Sequence, residues 1–543
     1  MKQVNKKWLS HLPLEVIANT QDNYLDAYVI ALEGWRRGLN LSWHTKKSNK
    51  FKNIKTWFVD EPGQLFSLQS KENSHYFFRS RGDKVLNEAV EIGMNKQKTK
   101  ELLTKAEVPV PKGKEFINNY SENDVINYAE SLGYPVVVKP KDGSFGRGVI
   151  SQIMNNDELK EALHHLRYEL KENEILLEKH ITGNDYRLYV VGDKVEGAIL
   201  RIAPNVIGDG TKTIETLIKE KNNLRNLNPR LATCPIRTDN EAITYLNKNN
   251  YNLNSIPKEN ETVYINDKAN ISLGGDPVDV LDELSDAMKE IAIQAINAVP
   301  GLNHGAVDLM IEKNNEIDEM GYVIELNPTA QLGGILFPLK GSPRDIPSAI
   351  IDYYFPETKD NTRNLLAYFK FQEVLHPLVV GAANIAKVTN CHNNHPVVKK
   401  LTLKGDFSDI KSIYKMRAFM IKIKLNGVIK VLSENNIELL ILGEETSILT
   451  FKENFEAIEI QDEKLIHESL TQPIKLGVEI KDTTHNLRTN IKNLEERTNK
   501  LKNEQLKLEK EYNKMLNSNS WKLTSPLRKV TGGIKKMIRR GSN

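Results

Sequence analysis

A near-continuous apolar run that ends in a lysine and a glycine-rich loop constrains the fold more than any other feature of the sequence. The run YPVVVKP covers residues 134–140, and the loop KDGSFGRGV follows at residues 141–149. The apolar run predicts a buried strand. The backbone N–H groups of a loop with three glycines can close over phosphate oxygens. A glycine-rich turn after a strand also occurs without a nucleotide, so the loop alone does not decide the function.

Strands and helices alternate on both sides of this loop, which predicts an α/β (α+β) multidomain protein. At roughly 100–200 residues per domain, the 543 residues predict about three or four domains. Near the start, Asp26–Leu39 is predicted as a strand that enters a helix, and Leu41–Thr45 and Thr56–Asp60 as further strands. The predicted segments are a small α/β domain (1–95), a larger α/β domain (96–358), a separate α+β domain (365–465), a coiled coil (480–516) and a basic amphipathic tail (517–543).

Composition excludes several classes of protein. No apolar stretch of 18 residues occurs, which argues against a transmembrane helix, and the first residues lack the apolar run of a secretory signal. The only cysteines are Cys234 and Cys391, which favours a reducing, cytoplasmic location. The net charge of +4 hides a basic tail, because Trp521–Asn543 holds seven Lys or Arg and no acid. The rest of the chain is slightly acidic, so we expect no nucleic-acid partner.

Two predicted strands near the end of the larger α/β domain carry candidate metal ligands. Asp308 lies in AVDLMIE, and Glu325 and Asn327 lie two residues apart in YVIELNP. Strand alternation puts Glu325 and Asn327 on one face, where their oxygens can reach the same point. Oxygen donors of this kind suit Mg²⁺. The alternative is that Asp308 and Glu325 are edge charges on a hairpin, although an unpaired carboxylate within an apolar strand is costly.

Other polar groups lie between the glycine-rich loop and these strands. The strand ILLEKHI ends in a polar turn that can offer backbone groups to an adenine edge. Asp185 and Arg187 follow in DYRLYV, Arg201 lies in AILRIA, and KANISLGG forms a second loop that ends in glycine. Each charge could instead be a solvated strand end. Cationic side chains and Mg²⁺ that converge on phosphates would describe phosphoryl transfer catalysed by positioning and charge neutralisation.

The order of these motifs resembles that of the ATP-grasp superfamily, and most closely the ATP-grasp domains of cyanophycin synthetases and bifunctional glutathione synthetases. The similarity runs from about Lys96 to Pro356 and includes KPKDGSFGRGV, EKHITGNDYRLYVVGDKVEGAILRIA and KANISLGG. The resemblance implies an ATP-grasp fold with ATP and Mg²⁺ as cofactors, Mn²⁺ being an alternative metal. It also implies that ATP phosphorylates a carboxylate to an acyl phosphate, which an amine attacks to form an amide or peptide bond.

The resemblance also implies roles for individual residues. It places Lys96 and Lys139 at the ATP phosphates, and Asp185 at the ribose or the phosphates. It implies catalytic contacts with the γ-phosphate and acyl phosphate from Arg201, Lys268 and Asn270, and a magnesium site formed by Asp308, Glu325 and Asn327. The remaining implied nucleotide contacts are a phosphate lid (Gly143, Ser144, Phe145, Gly146, Gly148) and an adenine hinge (Glu178, Lys179, His180, Ile181).

The sequence departs from these families outside the larger α/β domain. Residues 1–95 resemble the small domain that precedes many ATP-grasp folds, not the partner domain of glutathione synthesis. No Mur-ligase-like half with a GxxxxGK[ST] motif follows. The substrates are small-molecule or glycan-linked carboxylates and amines that the motifs do not identify.

The α+β domain at 365–465 resembles acylphosphatase-like ferredoxin folds. Ile413 and Val431 fall where such hydrolases use arginine and asparagine, so we expect no hydrolysis. The segment Cys391–His395 contains three potential zinc ligands, but a polar loop is the favoured interpretation because no distant partner is apparent.

The C-terminal part predicts self-association and contact with a membrane surface. Leu487, Ile491, Leu494, Leu501 and Leu508 follow the spacing of a coiled-coil seam, which predicts a homo-oligomer, with a solvated single helix as the alternative. The basic tail resembles a segment at the ends of bacterial capsule and cell-envelope glycosyltransferases. Its mixture of apolar residues and cations predicts peripheral contact with the anionic inner face of the membrane, with a solvated tail as the alternative.

Taken with the resemblance, these patterns predict an ATP-dependent carboxylate–amine ligase that releases ADP and phosphate. The tail suggests that it adds an amino acid or amino sugar during capsule or cell-envelope polymer synthesis. Two alternatives stay open at this stage. One is a soluble amino-acid or peptide ligase, and the other is an inactive nucleotide-binding scaffold that its coiled coil holds together.

Overall fold

A computed structural model describes residues 8–18, 20, 23–117, 120–141, 148–313, 319–360, 365, 367–390, 397–456, 458–465, 473–482 and 485–517. The chain divides into two compact units. The first comprises Met1–Pro396 and His467–Leu476, and the second comprises Val397–Ile466 and Gly477–Asn543. Both units combine helices with sheets, which confirms a mixed α/β multidomain protein. The second unit begins later than the predicted boundary at residue 365, and the division of the first unit at residue 95 stays a prediction.

The N-terminal part of the first unit is built on an antiparallel sheet and a long buried helix. Residues 26–39 belong to this helix and to the turn after it, so the predicted strand there is wrong. The reason is that Tyr28 to Leu32 are buried on every side, and a short apolar run without polar alternation does not separate strand from helix. Thr56–Asp60 is a loop, not a strand. The elements are α1 (Leu14–Ile17), α2 (Asn23–Arg36), β1 (Asn40–His44), β2 (Leu65–Gln69), β3 (Ser74–Phe78), β4 (Arg81–Gly82), α3 (Asn87–Met94) and α4 (Lys96–Lys105).

A four-stranded sheet follows, with strand order β5-β8-β6-β7. The predicted buried strand is β6, and it pairs on one side with β8 and on the other with β7. Its alternate residues Val136 and Val138 are fully buried against the two helices of this segment. The elements are β5 (Gly113–Phe116), α5 (Glu122–Leu132), β6 (Val136–Pro140), β7 (Ile150–Ile153), α6 (Asn156–His164) and β8 (Ile175–Lys179).

The third sheet is five-stranded and antiparallel, with strand order β13-β10-β9-β14-β15. One face packs on α9 through a core that includes Leu188, Val307 and Leu309, each fully buried. The polar segment after Ile202 supplies helices and a separate two-stranded ribbon, β11-β12. The elements are β9 (Asn184–Val191), β10 (Lys194–Ile202), β11 (Asn205–Ile207), α7 (Ile214–Arg225), α8 (Asn240–Lys248), β12 (Thr262–Tyr264), β13 (Asp276–Asp279), α9 (Asp286–Asn297), β14 (His304–Lys313), β15 (Glu319–Asn327), α10 (Gly333–Leu336) and α11 (Ile346–Tyr354).

The chain then returns to the N-terminal sheet. The strand β17 pairs with β1 and forms the edge of an order β17-β1-β2-β3-β4. Trp35 Nε1 donates a hydrogen bond to the carbonyl of Thr389 (2.8 Å), and Trp43 packs on Phe371 with ring centroids 5.2 Å apart. These contacts explain why residues 367–390 belong to the first unit. The elements are β16 (Ala367–Tyr368), α12 (Phe371–Val379), β17 (Ile385–Lys387) and β22 (Ile474–Lys475), which pairs with β16.

The second unit has the element order βαββαβ followed by one more strand and a long helix. Its sheet order is β21-β18-β20-β19-β23, and the first six elements follow the order of ferredoxin-like domains. Ile413 and Val431 are both buried in its core. The likeness to acylphosphatases and the absence of hydrolysis stay predictions. The elements are β18 (Val397–Lys404), α13 (Ile410–Lys422), β19 (Asn426–Ser433), β20 (Asn436–Gly443), α14 (Glu445–Asn454), β21 (Glu459–Leu465), β23 (Val478–Asp482) and α15 (His485–Asn517).

Two buried histidines should make the free energy of unfolding of the first unit depend on pH in mild acid. Burial lowers the pKa of His44 to about 4 and that of His304 to about 3, below the ordinary value near 6.5. Below pH 6.5 the unfolded chain therefore binds protons that the folded chain excludes, so the contribution of the two histidines to the free energy of unfolding falls as pH decreases towards 4. Asp26, whose pKa burial raises to about 6, opposes this change. We expect about 1.4 kcal/mol per pH unit for each histidine, and little change above pH 7.

Urea unfolding between pH 7.5 and 4.5 measures this dependence. His304→Gln should be less sensitive to pH over that range, because it removes one of the two titrating groups. The exposed His376 offers a matched control, since His376→Gln should keep the wild-type dependence. An equal pH dependence of His304→Gln and the wild type would contradict the prediction.

Candidate active site

A pocket lies between the four-stranded sheet and the edge strand β15 of the five-stranded sheet. Its empty volume, which is open to solvent, is about 360 Å³. Four of the residues singled out in the sequence line it together: Lys96, Lys139, Glu178 and Glu325. The remaining lining residues are mainly apolar, among them Leu103, Val110, Pro111, Val323 and Leu326. The pocket thus combines cationic groups and carboxylates with an apolar wall that can accept a flat ring.

Glu178 lies between two lysines on the floor of the pocket. Its Oε2 is 2.5 Å from Nζ of Lys139 on β6, and its Oε1 is 2.8 Å from Nζ of Lys100 on α4. All three side chains are largely buried. Burial alone would raise the pKa of Glu178, but Lys139 and Lys100 outweigh burial and hold this pKa below its ordinary value. The carboxylate is therefore ionised and neutralises part of the positive charge that faces the pocket.

Removing this carboxylate should destabilise the protein. In Glu178→Ala, Lys100 and Lys139 would keep their charges in a buried place without a counterion, and breaking a buried pair in this way costs about 3–5 kcal/mol. We expect urea unfolding to show a loss of about 3 kcal/mol in the free energy of unfolding. The exposed Glu161→Ala provides a matched control and should change the free energy of unfolding by less than about 0.5 kcal/mol. Equal stability of the two variants would contradict the prediction.

A row of charged residues crosses the face of the five-stranded sheet that is turned away from α9. Register places Arg201 opposite Asp185, and Asp308 opposite both Arg187 and Glu325. Arg187 binds Asp308 through two hydrogen bonds of 2.8 and 2.9 Å. Arg201 lies 2.5 Å from Asp185 and 3.0 Å from Asp308. The two arginines and the two carboxylates, Asp185 and Asp308, thus form an ion-pair network across the neighbouring strands β10, β9 and β14.

The carboxylates of this row differ in their pKa. Burial would raise the pKa of Asp308, but Arg187 and Arg201 outweigh burial and lower it. Burial raises the pKa of Asp185, and the charge of Asp308 adds to this effect, although Arg201 opposes it. Burial and Asp308 also raise the pKa of Glu325, against a smaller opposing effect of Lys96. Additional positive charge near Glu325 would therefore favour its ionised form.

Glu325 and Asn327 differ from Asp308 in their bonding. No hydrogen bond or ion pair joins the Glu325 side chain to another described residue, and Asn327 Nδ2 is buried without a partner in the described part of the chain. A bulge interrupts the pairing of β14 and β15 just after Asp308, so that Ile324 has no partner on β14. Bulges often re-aim a side chain next to a functional site. Here the bulge lies immediately before Glu325.

The predicted adenine hinge forms the end of β8 and the turn after it. Lys179 Nζ donates hydrogen bonds to the carbonyls of Gly133 (2.8 Å) and Tyr134 (3.1 Å), so its side chain folds back on the turn before β6. The amide of His180 donates to the carbonyl of Pro135 (3.1 Å). His180 and Ile181 are partly exposed. Contact of the hinge with adenine stays a prediction.

The remaining predicted residues lie in other places or outside the described residues. Gly143, Ser144, Phe145 and Gly146 fall outside the described residues, as do Cys391–His395 and the tail, whereas Gly148 starts the return to β7 at a φ of +71°. Lys268 donates a 2.7 Å hydrogen bond to Glu241 on α8. Asn270 precedes a single turn of 3-10 helix at Ile271–Leu273. Their predicted contacts with an acyl phosphate stay predictions.

Comparisons with known proteins show what the chain is similar to. Residues 95–206 match the family model of the carbamoyl-phosphate synthase L chain, ATP binding domain. The chain contains an ATP-grasp domain. Over 315 residues it is 30% identical to the glutathione biosynthesis bifunctional protein GshAB of Enterococcus faecalis, a match that covers 56% of this chain and 41% of that protein. It is 29% identical to the cyanophycin synthetase of Geminocystis herdmanii over 284 residues, 51% of this chain and 32% of that one.

The matches cover only part of these relatives, since the chain spans less than half of the length of either. Among solved structures, the crystal structure of a bifunctional glutathione synthetase from Pasteurella multocida is similar at 26% identity. It matches 54% of this chain and 41% of that chain, with a TM-score of 0.42. The predicted resemblance to ATP-grasp domains is thus confirmed by the family model and by the sequence relatives.

ATP-grasp ligases use ATP and Mg²⁺, and the donors of this ATP-grasp domain fit both. Lys96 and Lys139 bring positive charge to the pocket, and Glu325 brings oxygen donors. Asn327 does not line the pocket, but it follows two residues later on β15. Within the described ranges, no three His, Cys, Asp or Glu side chains cluster in a way that could hold a metal ion without further ligands. Such a sparse set suits Mg²⁺, which is commonly held by one or two carboxylates together with water and substrate phosphates. The three predicted magnesium ligands stay a prediction.

In the ATP-grasp domain, Lys100 was not predicted to take part in the site, and Arg187 was named among the charged groups but was given no role. Lys100 follows Lys96 by one helical turn, so both point to the same side of α4. Arg187 alternates with Asp185 on β9 and therefore shares its face. Both could have been found from spacing alone once the helix and the strand had been assigned. Their acidic partners could not, because Glu178 and Asp308 are 78 and 121 residues further along the chain.

Proposed function

We propose that the protein is an ATP-dependent carboxylate–amine ligase that forms an amide or peptide bond through an acyl phosphate. The observation that carries this proposal is the pocket in which Lys96, Lys139, Glu178 and Glu325 meet between two sheets. Lysines and carboxylates that converge on one pocket suit a phosphoryl transfer that depends on positioning and charge. The relatives' names, which include a cyanophycin synthetase and a glutathione biosynthesis protein, support ligation as the reaction class.

In this proposal each part of the chain has a separate task. Lys96 and Lys139 attract the nucleotide phosphates, and the apolar wall with Leu103 and Leu326 excludes water from the base. Mg²⁺, when bound, neutralises phosphate charge and aligns the transferred group. Glu325 and Asn327 would hold it. Arg201 would lie near the acyl phosphate, where its charge stabilises the oxygens that become more negative.

The amine and carboxylate substrates, the pathway and the location are further parts of the proposal. The basic tail supports an amino acid or amino sugar that is added during bacterial capsule or cell-envelope polymer synthesis. We place this activity in the cytoplasm, with peripheral contact at the anionic inner face of the membrane and with self-association through α15. None of the helices in the described ranges combines the length and the hydropathy that crossing a membrane requires.

Product analysis tests the proposed reaction class. Purified protein with Mg²⁺ and ATP is incubated with a panel of amino acids, amino sugars and uronic acids, and the nucleotides are separated by chromatography. We expect ADP and phosphate in equal amounts, at a rate that rises with the correct substrate pair. Release of AMP and pyrophosphate would exclude the acyl phosphate mechanism. Tight ATP binding with no stimulation by any pair would favour the nucleotide-binding scaffold.

A further inference from the structure

The helix α15 presents an apolar seam that no described residue covers. It is 33 residues long, which corresponds to about 50 Å. Every described side chain from Glu495 to Glu511 is exposed, and Leu501 and Leu508 expose 59% and 66% of their surfaces. In the sequence, leucine recurs at every seventh residue from Leu487 to Leu508. A helix in a protein gains most of its stability by packing its apolar face against another element. We therefore expect the seam of α15 to be covered by a partner.

The charged residues at the e and g positions beside the seam indicate which orientation a second copy of the chain would take. With the leucines at the d positions of the heptad, Thr498 and Gln505 occupy a positions. Between residues 495 and 509, the g positions that follow from this assignment hold Arg497 and Glu504, and the e positions hold Glu495, Lys502 and Glu509. None of these five charged side chains forms an ion pair with another described residue.

A parallel pair of helices would bring like charges together. In a parallel coiled coil in register, each g residue faces the e residue of the next heptad of the partner. Arg497 would then face Lys502 of the second copy, and Glu504 would face Glu509. Symmetry doubles both repulsions. The sequence therefore disfavours the parallel arrangement at its central heptads.

An antiparallel pair reverses the sign of these contacts. There the g positions face g positions, and the e positions face e positions. Arg497 of each copy can then meet Glu504 of the other, and in the same register Lys502 of each copy can meet Glu495 of the other. The charges at the e and g positions of α15 are thus complementary to those of a second α15 that runs in the opposite direction. A second copy of this chain therefore suffices as the partner.

We propose that α15 forms an antiparallel coiled coil with α15 of a second copy of this chain, with its dyad near residues 499 and 500. The complementarity of Arg497 and Glu504, and the uncovered leucines, carry the proposal. Thr498 and Gln505 lie close to this dyad, where polar a positions fix the register. The interface does not depend on the reaction that the pocket catalyses.

Charge reversal in the full-length protein tests the orientation, because it has opposite effects in the two arrangements. Arg497→Glu should raise the dissociation constant of the dimer by about tenfold, measured by sedimentation velocity at low salt. The double variant Arg497→Glu with Glu504→Lys should restore wild-type affinity. Lys510→Glu makes the same change in charge at an outward-facing f position and should leave the affinity unchanged. Tighter association of Arg497→Glu would overturn the proposal in favour of a parallel pair.

A distance measurement provides an independent test. Spin labels on Lys514→Cys should lie more than about 30 Å apart along the axis of an antiparallel pair, but side by side in a parallel pair. Labels on Asn503→Cys, near the dyad, should be close in either arrangement and serve as the control. Both variants are prepared with Cys234 and Cys391 replaced by alanine. A short distance at residue 514, or a monomer at every concentration, would overturn the proposal.

Discussion

Glu325→Gln should lower the rate of ADP release by on the order of 100-fold while the protein stays folded. Glutamine keeps the shape of the side chain and one oxygen, but it removes a negative charge that faces the lysines of the pocket. In the proposed reaction this charge holds the metal that carries the nucleotide phosphates. The measurement is steady-state ADP release at saturating Mg²⁺ and ATP, with circular dichroism and urea unfolding to verify the fold.

Glu319→Gln is the matched control for this variant. Glu319 begins the same strand, β15, and accepts a hydrogen bond from Ser285 that glutamine can also accept. This variant should retain wild-type turnover. If Glu325→Gln were as active as Glu319→Gln, Glu325 would have no part in catalysis, and the proposed metal position would be wrong.

Lys139→Ala should slow turnover and weaken ATP binding, with a combined loss of about 100-fold to 1000-fold in kcat/KM. Lys139 lies in the pocket on the central strand β6, with Nζ directed at the Glu178 carboxylate. Water that fills the space in the variant carries no positive charge to offset the nucleotide phosphates. Titration calorimetry with ATP and steady-state kinetics measure the two effects separately.

Lys160→Ala, on the exposed face of α6, serves as the control for loss of a lysine and should change neither quantity. Lys139→Ala also leaves Glu178 with only Lys100 as its partner. An unfolding measurement is therefore part of the test, and Lys139→Arg distinguishes charge from shape. Full activity of Lys139→Ala in a folded protein would contradict the role assigned to this residue.

The sequence predicted those parts of the site that depend on local pattern. The strand β6 with Lys139 and the strands that carry Asp308 and Glu325 were predicted from apolar runs and their alternation. In contrast, Thr56–Asp60 was predicted as a strand and is a loop. Its apolar residues serve a tertiary contact, since Trp57 packs on Phe78 with ring centroids 4.9 Å apart. Local pattern does not distinguish such a contact from a strand.

Pairing between distant residues could not be predicted. Glu178 was expected at the adenine, but its side chain neutralises Lys100 and Lys139, and only the register of β8 against β6 reveals this. Likewise, nothing in the spacing of Asp308 indicated that two arginines would bind it. Such ion pairs depend on which strands become neighbours, and strand order in a sheet is a property of the whole fold.

The pairing of β17 with the edge strand β1 also affects how the N-terminal sheet folds during translation. Translation adds about 340 residues between these two strands, which at roughly 5–20 residues per second takes roughly 20 to 70 seconds. During this interval the edge of β1 has no partner, and Trp43 lacks its contact with Phe371. The nascent N-terminal sheet is then a target for chaperones and for aggregation. A fragment that ends at residue 358 would keep this defect permanently, so an expressed catalytic fragment has to extend at least to Thr389.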